Sequence, residues 1–161
     1  VSSLYVPSGG DKPDVTINDK FAHKLAFMEE MKTFFAGDGL HVAGGDLNTA
    51  PQEHDVHNHK KCRRLVGHSD GERQIMAEAI EAGGWIDTGR AVQPEGPLFT
   101  WWGYRYPPAF ERNMGWRLDH LWLKRAQADL IRGGSVFRES RAWEKPSDHA
   151  PVVLDLGLDA A

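Results

Sequence analysis

The sequence predicts an α/β protein with a mixed, mostly antiparallel sheet and helices on one face. Helical and strand-like patterns alternate in the first half of the chain, and strand-like runs dominate the second half. Alternating elements favour a sheet covered by helices, whereas consecutive strands favour antiparallel pairing. No internal repeat, low-complexity segment or linker interrupts the pattern, so we expect one structural unit.

Two strands and a long helix are predicted first. Residues 2–6 form a strand-like run that ends at a proline, and residues 40–44 form a short apolar run typical of a buried strand. Between them, Asn18 has the chemistry of an N-cap, and Gly37 with Gly39 ends the helix. The apolar face that we expect to pack on the sheet comprises Phe21, Leu25, Met28, Met31, Phe34 and Phe35.

The polar segment 52–67 admits two interpretations. Imidazole and thiolate are preferred ligands of zinc, and the segment contains His54, His57, His59 and Cys62. Their spacing matches none of the standard paired-ligand patterns, so we predict a surface loop instead. The loop also carries a basic group, which is typical of a solvated surface and consists of Lys60, Lys61, Arg63 and Arg64.

A second helix and five strands complete the prediction. Ser69 and Glu72 form a capping box that begins the helix, which ends at Gly83 and Gly84. The strands are expected at residues 85–88, 98–102, 117–123, 135–143 and 151–156. Aromatic and basic residues alternate between positions 101 and 106, which suits stacking on bases or sugars, although tryptophans in strands are more often core residues.

The composition is typical of a soluble globular domain. The chain has 161 residues, of which 40% are hydrophobic and 26% charged, and it has a single cysteine. One cysteine excludes an intrachain disulfide framework, and no apolar run is long enough to span a bilayer, so we expect a cytoplasmic protein without a membrane partner. The net charge of −4 argues against a generally basic nucleic-acid surface, although a bound cation would offset an acidic site.

Polar side chains stand at the mouths of three predicted strands. Asp46 and Asn48 follow the first of them, on the same side of the extended backbone. Asp119 interrupts a second apolar run, and Asp148 with His149 precedes the last strand. These groups favour a metal or phosphate site. The alternative is an ordinary corner, in which Asp46 and Asn48 bond only their own backbone.

Five sequence blocks resemble exonuclease III, in the abasic-site endonuclease branch of the endonuclease/exonuclease/phosphatase superfamily. The blocks are Leu4-Tyr5-Val6-Pro7-Ser8-Gly9, Gly45-Asp46-Leu47-Asn48, Trp101-Trp102-Gly103-Tyr104-Arg105, Gly115-Trp116-Arg117-Leu118-Asp119 and Ser147-Asp148-His149-Ala150-Pro151. They occur in the family's order. The resemblance implies a four-layered α/β/β/α sandwich, of which residues 1–161 would supply the C-terminal half.

The same resemblance implies what the chain lacks. In the family, an asparagine and a metal-binding glutamate come from an N-terminal half that nothing here matches. We therefore expect this chain alone to bind metal poorly and to have little activity. We also expect the sheet face that would meet the other half to be apolar, so the chain should form a homodimer through that face or aggregate.

The resemblance assigns roles to the polar residues. Asp46 would orient or deprotonate the attacking water, Asn48 would fix it, and Tyr5 would donate to the phosphate. His149 would stabilise the phosphate oxygens, held by Asp119. The metal would be held by Asp46 and Asp148, and Mg²⁺ is expected, with Mn²⁺ as a substitute.

The substrate implied by the resemblance is double-stranded DNA with abasic sites or 3′ ends. Trp101, Trp116 and Leu118 would line a pocket for a flipped deoxyribose without a base, and the less favoured alternative for Trp116 is a plain core residue. Arg105 and Asn113 would contact the DNA backbone. The expected activities are 3′–5′ exonuclease and endonuclease 5′ to abasic sites. The alternatives are a phosphatase acting on lipid or inositol phosphates and a non-catalytic, self-associating module.

Overall fold

The computed structural model describes residues 1–37, 39 and 41–158, and Leu40 of the predicted second strand lies outside them. The strands are β1 Ser2–Tyr5, β2 Val42–Asp46, β3 Trp85–Asp87, β4 Asp119–Lys124, β5 Ile131–Val136 and β6 Val152–Leu156. The α-helices are α1 Asp19–Ala36, α2 His59–Cys62, α3 Asp70–Ala82 and α4 Thr88–Val92. In this part of the chain, no helix is both long and apolar enough to cross a membrane.

The predicted mixed, mostly antiparallel sheet is confirmed. Four strands lie in the order β1-β2-β4-β3, with β1 parallel to β2 and the other pairs antiparallel. The strands β5 and β6 form a second, two-stranded antiparallel sheet. The central pairing of β2 with β4 brings two distant parts of the sequence into register.

The two long helices cover one face of the four-stranded sheet. The N-caps predicted for them are confirmed, since Asn18 Oδ1 accepts from the Phe21 N–H at 3.3 Å and Ser69 forms its capping box with Glu72. Local side-chain chemistry therefore begins both helices. The core between helices and sheet is built of buried apolar side chains, namely Met28, Met31, Phe35, Ala43, Leu47, Ile75, Met76, Ala79, Trp85 and Trp122.

The alternation of side chains places the acidic residues on the other face. Ala43 and Trp122 are register partners and face the helices. Asp46 and Asp119 are also register partners. Asp46 is an odd number of residues from Ala43 on β2, and Asp119 is an odd number of residues from Trp122 on β4. Side chains alternate along a strand, so both carboxylates project from the face that the helices leave open.

Two predicted strands are wrong. Residues 98–102 form only isolated bridges, because the N–H groups of Thr100 and Trp101 donate to the Trp116 carbonyl while that of Trp102 donates to Asp148. Residues 135–143 do not continue as a strand beyond β5. The hydroxyl of Ser140 donates to the Phe137 carbonyl at 2.9 Å and stabilises a 3₁₀ turn there, as serine often does.

The surface-loop prediction for 52–67 is only partly right. The basic side chains at positions 60, 61, 63 and 64 are exposed as expected. However, Asp55 is fully buried, and Cys62 lies in a second apolar cluster with Ala50, Val56 and Leu118. The apolar face predicted for α1 is wrong at Phe34, which is exposed. The helix also buries a charged residue, Lys24.

A buried ion network explains why Asp55 is inside. Arg117 Nε donates to Asp55 Oδ1 at 2.7 Å, Arg117 Nη2 donates to Asp87 Oδ2 at 2.7 Å, and Arg90 also pairs with Asp55. Burial opposes ionisation of Asp55, but the two arginines outweigh it and lower the pKa of Asp55 to about 2. The network anchors the chain just before Asp119, at the entrance to β4.

Candidate active site

The ends of β2 and β4 bring two acidic side chains together. Asp46 is the last residue of β2, and Asp119 is the first residue of β4. Both are half-buried. Thr100 supports this edge, because its Oγ1 accepts from the N–H groups of both Leu118 and Asp119 at 3.0 Å. The hydroxyl thus replaces a missing ladder partner where β4 begins.

Asn48 holds Asp46 in a tight turn. The backbone N–H of Asn48 donates to Asp46 Oδ1 at 3.0 Å, and its Nδ2 donates to Asp46 Oδ2 at 3.1 Å. The same Nδ2 donates to the Val6 carbonyl at 2.8 Å. Asn48 has a φ of 46°, a left-handed conformation that asparagine tolerates better than most residues. The alternative interpretation, an ordinary corner, accounts for the bonds between Asn48 and Asp46. It does not account for the bond from Asn48 to Val6 on the neighbouring segment.

His149 completes the cluster. Its Nδ1 lies 2.8 Å from Asp119 Oδ2, and its Nε2 lies 4.0 Å from Asp46 Oδ2. The hydroxyl oxygen of Ser147 accepts from the His149 N–H at 3.1 Å and holds the backbone. Burial alone would lower the pKa of His149, but the hydrogen bond and charge of Asp119, with the charges of Asp46 and Asp148, hold that pKa above its ordinary value.

The electrostatics of the cluster formed by Asp46, Asp119 and His149 favour the binding of a cation. Burial raises the pKa of Asp46, and the charge of Asp119 adds to this, against the Asn48 N–H and the charge of His149. Among the described residues, Asp46, Asp119 and His149 form the one group of three metal-ligating side chains, with ligand atoms within 4.8 Å of one another. Carboxylate oxygens suit Mg²⁺ or Mn²⁺, so the donor set fits a hard divalent cation.

Asp148, predicted as a metal ligand, lies beside this cluster with another partner. Its Oδ2 accepts from the indole Nε1 of Trp101 at 2.8 Å. The candidate zinc ligands of segment 52–67 do not converge either, within the part of the chain that the structure describes. Instead, His59 Nδ1 lies 2.9 Å from His68 Nε2, and His68 Nδ1 lies 2.6 Å from the Ala50 carbonyl.

Two partly exposed indoles lie next to the cluster. The rings of Trp101 and Trp116 are 6.5 Å apart between centroids and nearly perpendicular, and both residues are half-buried. Leu118 packs beneath them in the second apolar cluster. The structure thus brings together all three residues predicted to line a sugar pocket. Their partial exposure leaves indole surface available to a ligand.

The remaining predicted residues lie around the rim. Tyr5 is exposed and is the register partner of Asp46 on β1. Arg105 is exposed on the loop that follows Trp102. Asn113 Oδ1 accepts from the indole Nε1 of Trp102 at 3.4 Å, so this side chain is turned toward the loop's base. The rim residues are therefore spread out, whereas Asp46, Asn48, Asp119 and His149 are in direct contact.

Comparison with known proteins identifies the family. The sequence profile of the Endonuclease/Exonuclease/phosphatase family matches residues 20–149, most of the chain. The chain belongs to the Endonuclease/Exonuclease/phosphatase family. The exodeoxyribonuclease of Bacillus subtilis (strain 168) is 38% identical to it over 116 residues, an alignment that covers 71% of the chain and 43% of that relative. The chain spans about half the length of the curated relatives it matches.

Solved structures of the same fold support this assignment. An AP endonuclease from Archaeoglobus fulgidus is 28% identical with a TM-score of 0.89, covering 97% of this chain and 60% of that one. The 3′ phosphatase NExo from Neisseria, bound to a product DNA hairpin, is 31% identical with a TM-score of 0.84 and the same coverage. The resemblance to exonuclease III and abasic-site endonucleases is therefore confirmed for the family and for the α/β fold.

Several residues that support the site of this family member were missed from the sequence. Thr100 and Arg117 lie beside predicted residues, but nothing local marks them as supports. Lys24 and Glu72 form a buried ion pair beneath the Asp46–Asn48 turn. A signal did exist for Lys24, because it interrupts the apolar face of α1 midway between Phe21 and Met28.

Proposed function

We propose that this chain carries the catalytic centre of a metal-dependent DNA repair nuclease that hydrolyses phosphodiester bonds. The observation that carries the proposal is the contact cluster of Asp46, Asp119 and His149 at one sheet edge, beside the half-exposed indoles of Trp101 and Trp116. Hydrolysis of a phosphodiester requires an oriented water, a proton acceptor and positive charge near the phosphoryl oxygens. The cluster contains a candidate for each requirement.

In this proposal, Asp46 orients the attacking water and accepts its proton. Asn48 fixes the Asp46 carboxylate through its backbone and side-chain N–H groups. To contact a phosphate as well, its Nδ2 would exchange the Val6 carbonyl for a phosphate oxygen. His149 donates from Nε2 to a phosphoryl oxygen, since its Nδ1 is occupied by Asp119. The carboxylate of Asp119 favours the imidazolium form, which supplies the positive charge.

Asp46 and Asp119 would hold Mg²⁺ or Mn²⁺, and Asp148, which precedes His149 and bonds to Trp101 through Oδ2, would contribute through a water. A bound divalent ion supplies Lewis-acid stabilisation of the phosphoryl oxygens. Two carboxylates are few ligands for a cation that prefers six oxygens, so we expect weak affinity and slow turnover at low metal concentration. The weak activity expected from the sequence would then have a direct physical cause.

The proposed substrate is duplex DNA with an abasic site or a 3′ end. In this proposal the surface formed by Trp101, Trp116 and Leu118 receives a bare deoxyribose, and the indoles exclude a sugar that carries its base. Tyr5, Arg105 and Asn113 would contact the flanking phosphates. The Neisseria relative is described as a 3′ phosphatase, so a duplex with a 3′-phosphoryl end is a second substrate to test.

We also propose that the open sheet face mediates self-association. Tyr5 on β1 is exposed and Leu121 on β4 is only partly buried, and both alternate with residues that face the long helices. Light scattering at micromolar concentration should give a mass above that of the monomer. A monomeric peak contradicts this part of the proposal.

The experiment that tests the nuclease proposal is single-turnover cleavage of a duplex carrying one abasic-site analogue, with the chain in excess and millimolar Mg²⁺. We expect slow cleavage 5′ to the analogue that EDTA abolishes and that is lost in Asp46→Asn. The matched control is Asp155→Asn, which changes an exposed aspartate on β6 outside the cluster. Equal cleavage by Asp46→Asn and by the unaltered chain contradicts the proposal, as does the absence of cleavage by the folded chain.

A further inference from the structure

The side chain of Lys24 is fully buried in the helix-covered side of the protein. It extends from α1 toward the end of β2. Its Nζ lies 2.6 Å from Glu72 Oε1 on α3 and donates to the backbone carbonyl of Asn48 at 2.7 Å. A single ammonium group thus joins both long helices to the turn that carries Asp46 and Asn48.

Stability alone does not account for this ion pair. Removing two charges from water costs several kcal/mol, and well-packed apolar side chains of similar volume often replace a buried pair without loss. The neighbours of Lys24 at helical spacing, Phe21 and Met28, are apolar and buried. A methionine at position 24 would continue that face. A methionine could not donate to the Asn48 carbonyl, so this hydrogen bond is the contact that requires a cation or another donor at position 24.

The Asn48 turn is a place where such a contact matters. Asn48 has a positive φ, and its amide bonds to both Asp46 and Val6. Non-glycine residues in the left-handed region persist only where surrounding contacts hold them. Lys24 donates to the Asn48 carbonyl from the helix-covered side of the turn. The N–H groups of Asn48 donate to Asp46 and Val6 on its other side.

Glu72 holds Lys24 in place and secures the chain on the other side of the turn. Its two carboxylate oxygens accept from the Gly67 N–H at 2.8 and 2.9 Å, and the Gly67 carbonyl accepts from the Ala50 N–H at 2.7 Å. The ion pair is therefore connected to the backbone at Asn48 directly and at Ala50 through Gly67. The ion pair therefore holds the segment that follows Asp46 at both of its ends, Asn48 and Ala50.

We propose that Lys24 is a positioning residue for the hydrolysis assigned above, and this inference rests on that proposed function. Lys24 fixes the Asn48 backbone, so that the Asn48 amide presents the Asp46 carboxylate in one orientation. Glu72 neutralises and aims the ammonium group. Neither residue contacts the substrate.

Four variants separate positioning from general stability. Lys24→Met removes the donor and leaves Glu72 unpaired, whereas Lys24→Met with Glu72→Gln removes both charges and avoids a lone buried carboxylate. Lys24→Arg keeps a charged donor and serves as the conservative rescue. The matched control is Lys32→Met, because Lys32 also lies on α1 and pairs with Glu78 on α3, but at the surface and far from the turn.

Two readouts are compared at a temperature where every variant is folded. The first is the NMR chemical shift and hydrogen exchange of the Asn48 backbone and side-chain amides, which report the turn without catalysis. Lys24→Met and the double variant should shift these signals and speed their exchange, and Lys32→Met should not. The second is cleavage of the abasic duplex, in which kcat should fall about 10- to 100-fold with KM nearly unchanged and recover in Lys24→Arg.

Unchanged Asn48 amide signals in the folded double variant would overturn the inference. So would an unchanged kcat in that variant, or an equal loss in Lys32→Met. The absence of cleavage by the unaltered chain bears on the nuclease proposal instead, because the Asn48 signals test the turn independently of activity.

Discussion

The imidazole of His149 is held by Asp119, with 2.8 Å between Nδ1 and Oδ2, although the two residues are 30 positions apart in the sequence. The pairing leaves Nε2 directed toward Asp46 at 4.0 Å. Asp119 begins β4 in the four-stranded sheet, and His149 lies shortly before β6 in the two-stranded sheet. The contact therefore joins the two sheets. The cluster therefore depends on both sheets being in place.

Asp119→Asn should lower the pKa of His149 in the metal-free protein. The hydrogen bond and charge of Asp119 favour the imidazolium, and burial then acts with less opposition. An NMR titration of the His149 ring protons measures the change, with Asp155→Asn as the control that should leave it in place. A His149 pKa that is unchanged or raised in Asp119→Asn contradicts the pairing.

Stability should fall in acid because of Asp55. Its pKa is about 2 in the folded protein and 3.8 ordinarily, so its contribution is complete above about pH 4 and is lost as the pH falls toward 2. The shift corresponds to roughly 2 kcal/mol of unfolding free energy. Urea unfolding between pH 6 and pH 2.5 measures the loss, and Asp55→Asn should flatten that part of the profile. If the free energy of unfolding falls as steeply with pH in Asp55→Asn as in the unaltered chain, other groups cause the acid sensitivity.

Arg117→Met should destabilise the protein by about 3–5 kcal/mol, because Asp87 would lose the arginine that compensates its charge and Asp55 would keep only Arg90. Arg125→Met is the control, since its pair with Glu81 is exposed and should contribute less than about 1 kcal/mol. Urea unfolding at neutral pH compares the two. Equal losses would mean that the buried network does not stabilise the entrance to β4.

Trp116→Ala should reduce cleavage at an abasic site by about 10-fold, since an indole packed against the deoxyribose buries apolar surface and about 1.4 kcal/mol corresponds to a factor of ten. Removal of nucleotides from an intact 3′ end should change less, because no base-less sugar needs to contact the indole. Phe34→Ala is the control, as Phe34 is an exposed aromatic residue on α1, on the helix-covered side of the sheet. Equal effects of Trp116→Ala on both substrates contradict a sugar pocket.

Features that depend on near neighbours were predictable from the sequence. The caps at Asn18 and Ser69 form hydrogen bonds within three residues, and β2 ends at Asp46 where the strand pattern predicts polar groups. The family motifs also identified Asp119 and His149, which the structure brings into contact with Asp46. The predicted strand at 135–143 failed because a serine turn, itself local, replaced the extended pattern.

Tertiary structure alone decided which charges are buried. Composition and spacing placed Asp55 in a surface loop, and the apolar face predicted for α1 did not include Lys24. Asp55 and Arg117 are 62 residues apart, and Lys24 and Glu72 also come from separate helices. A charged side chain is stable inside a protein only when its partner is brought to it, and that partner is chosen by the fold. The sequence by itself thus determined the strand ends and their acids, and the fold determined the ion pairs that hold them.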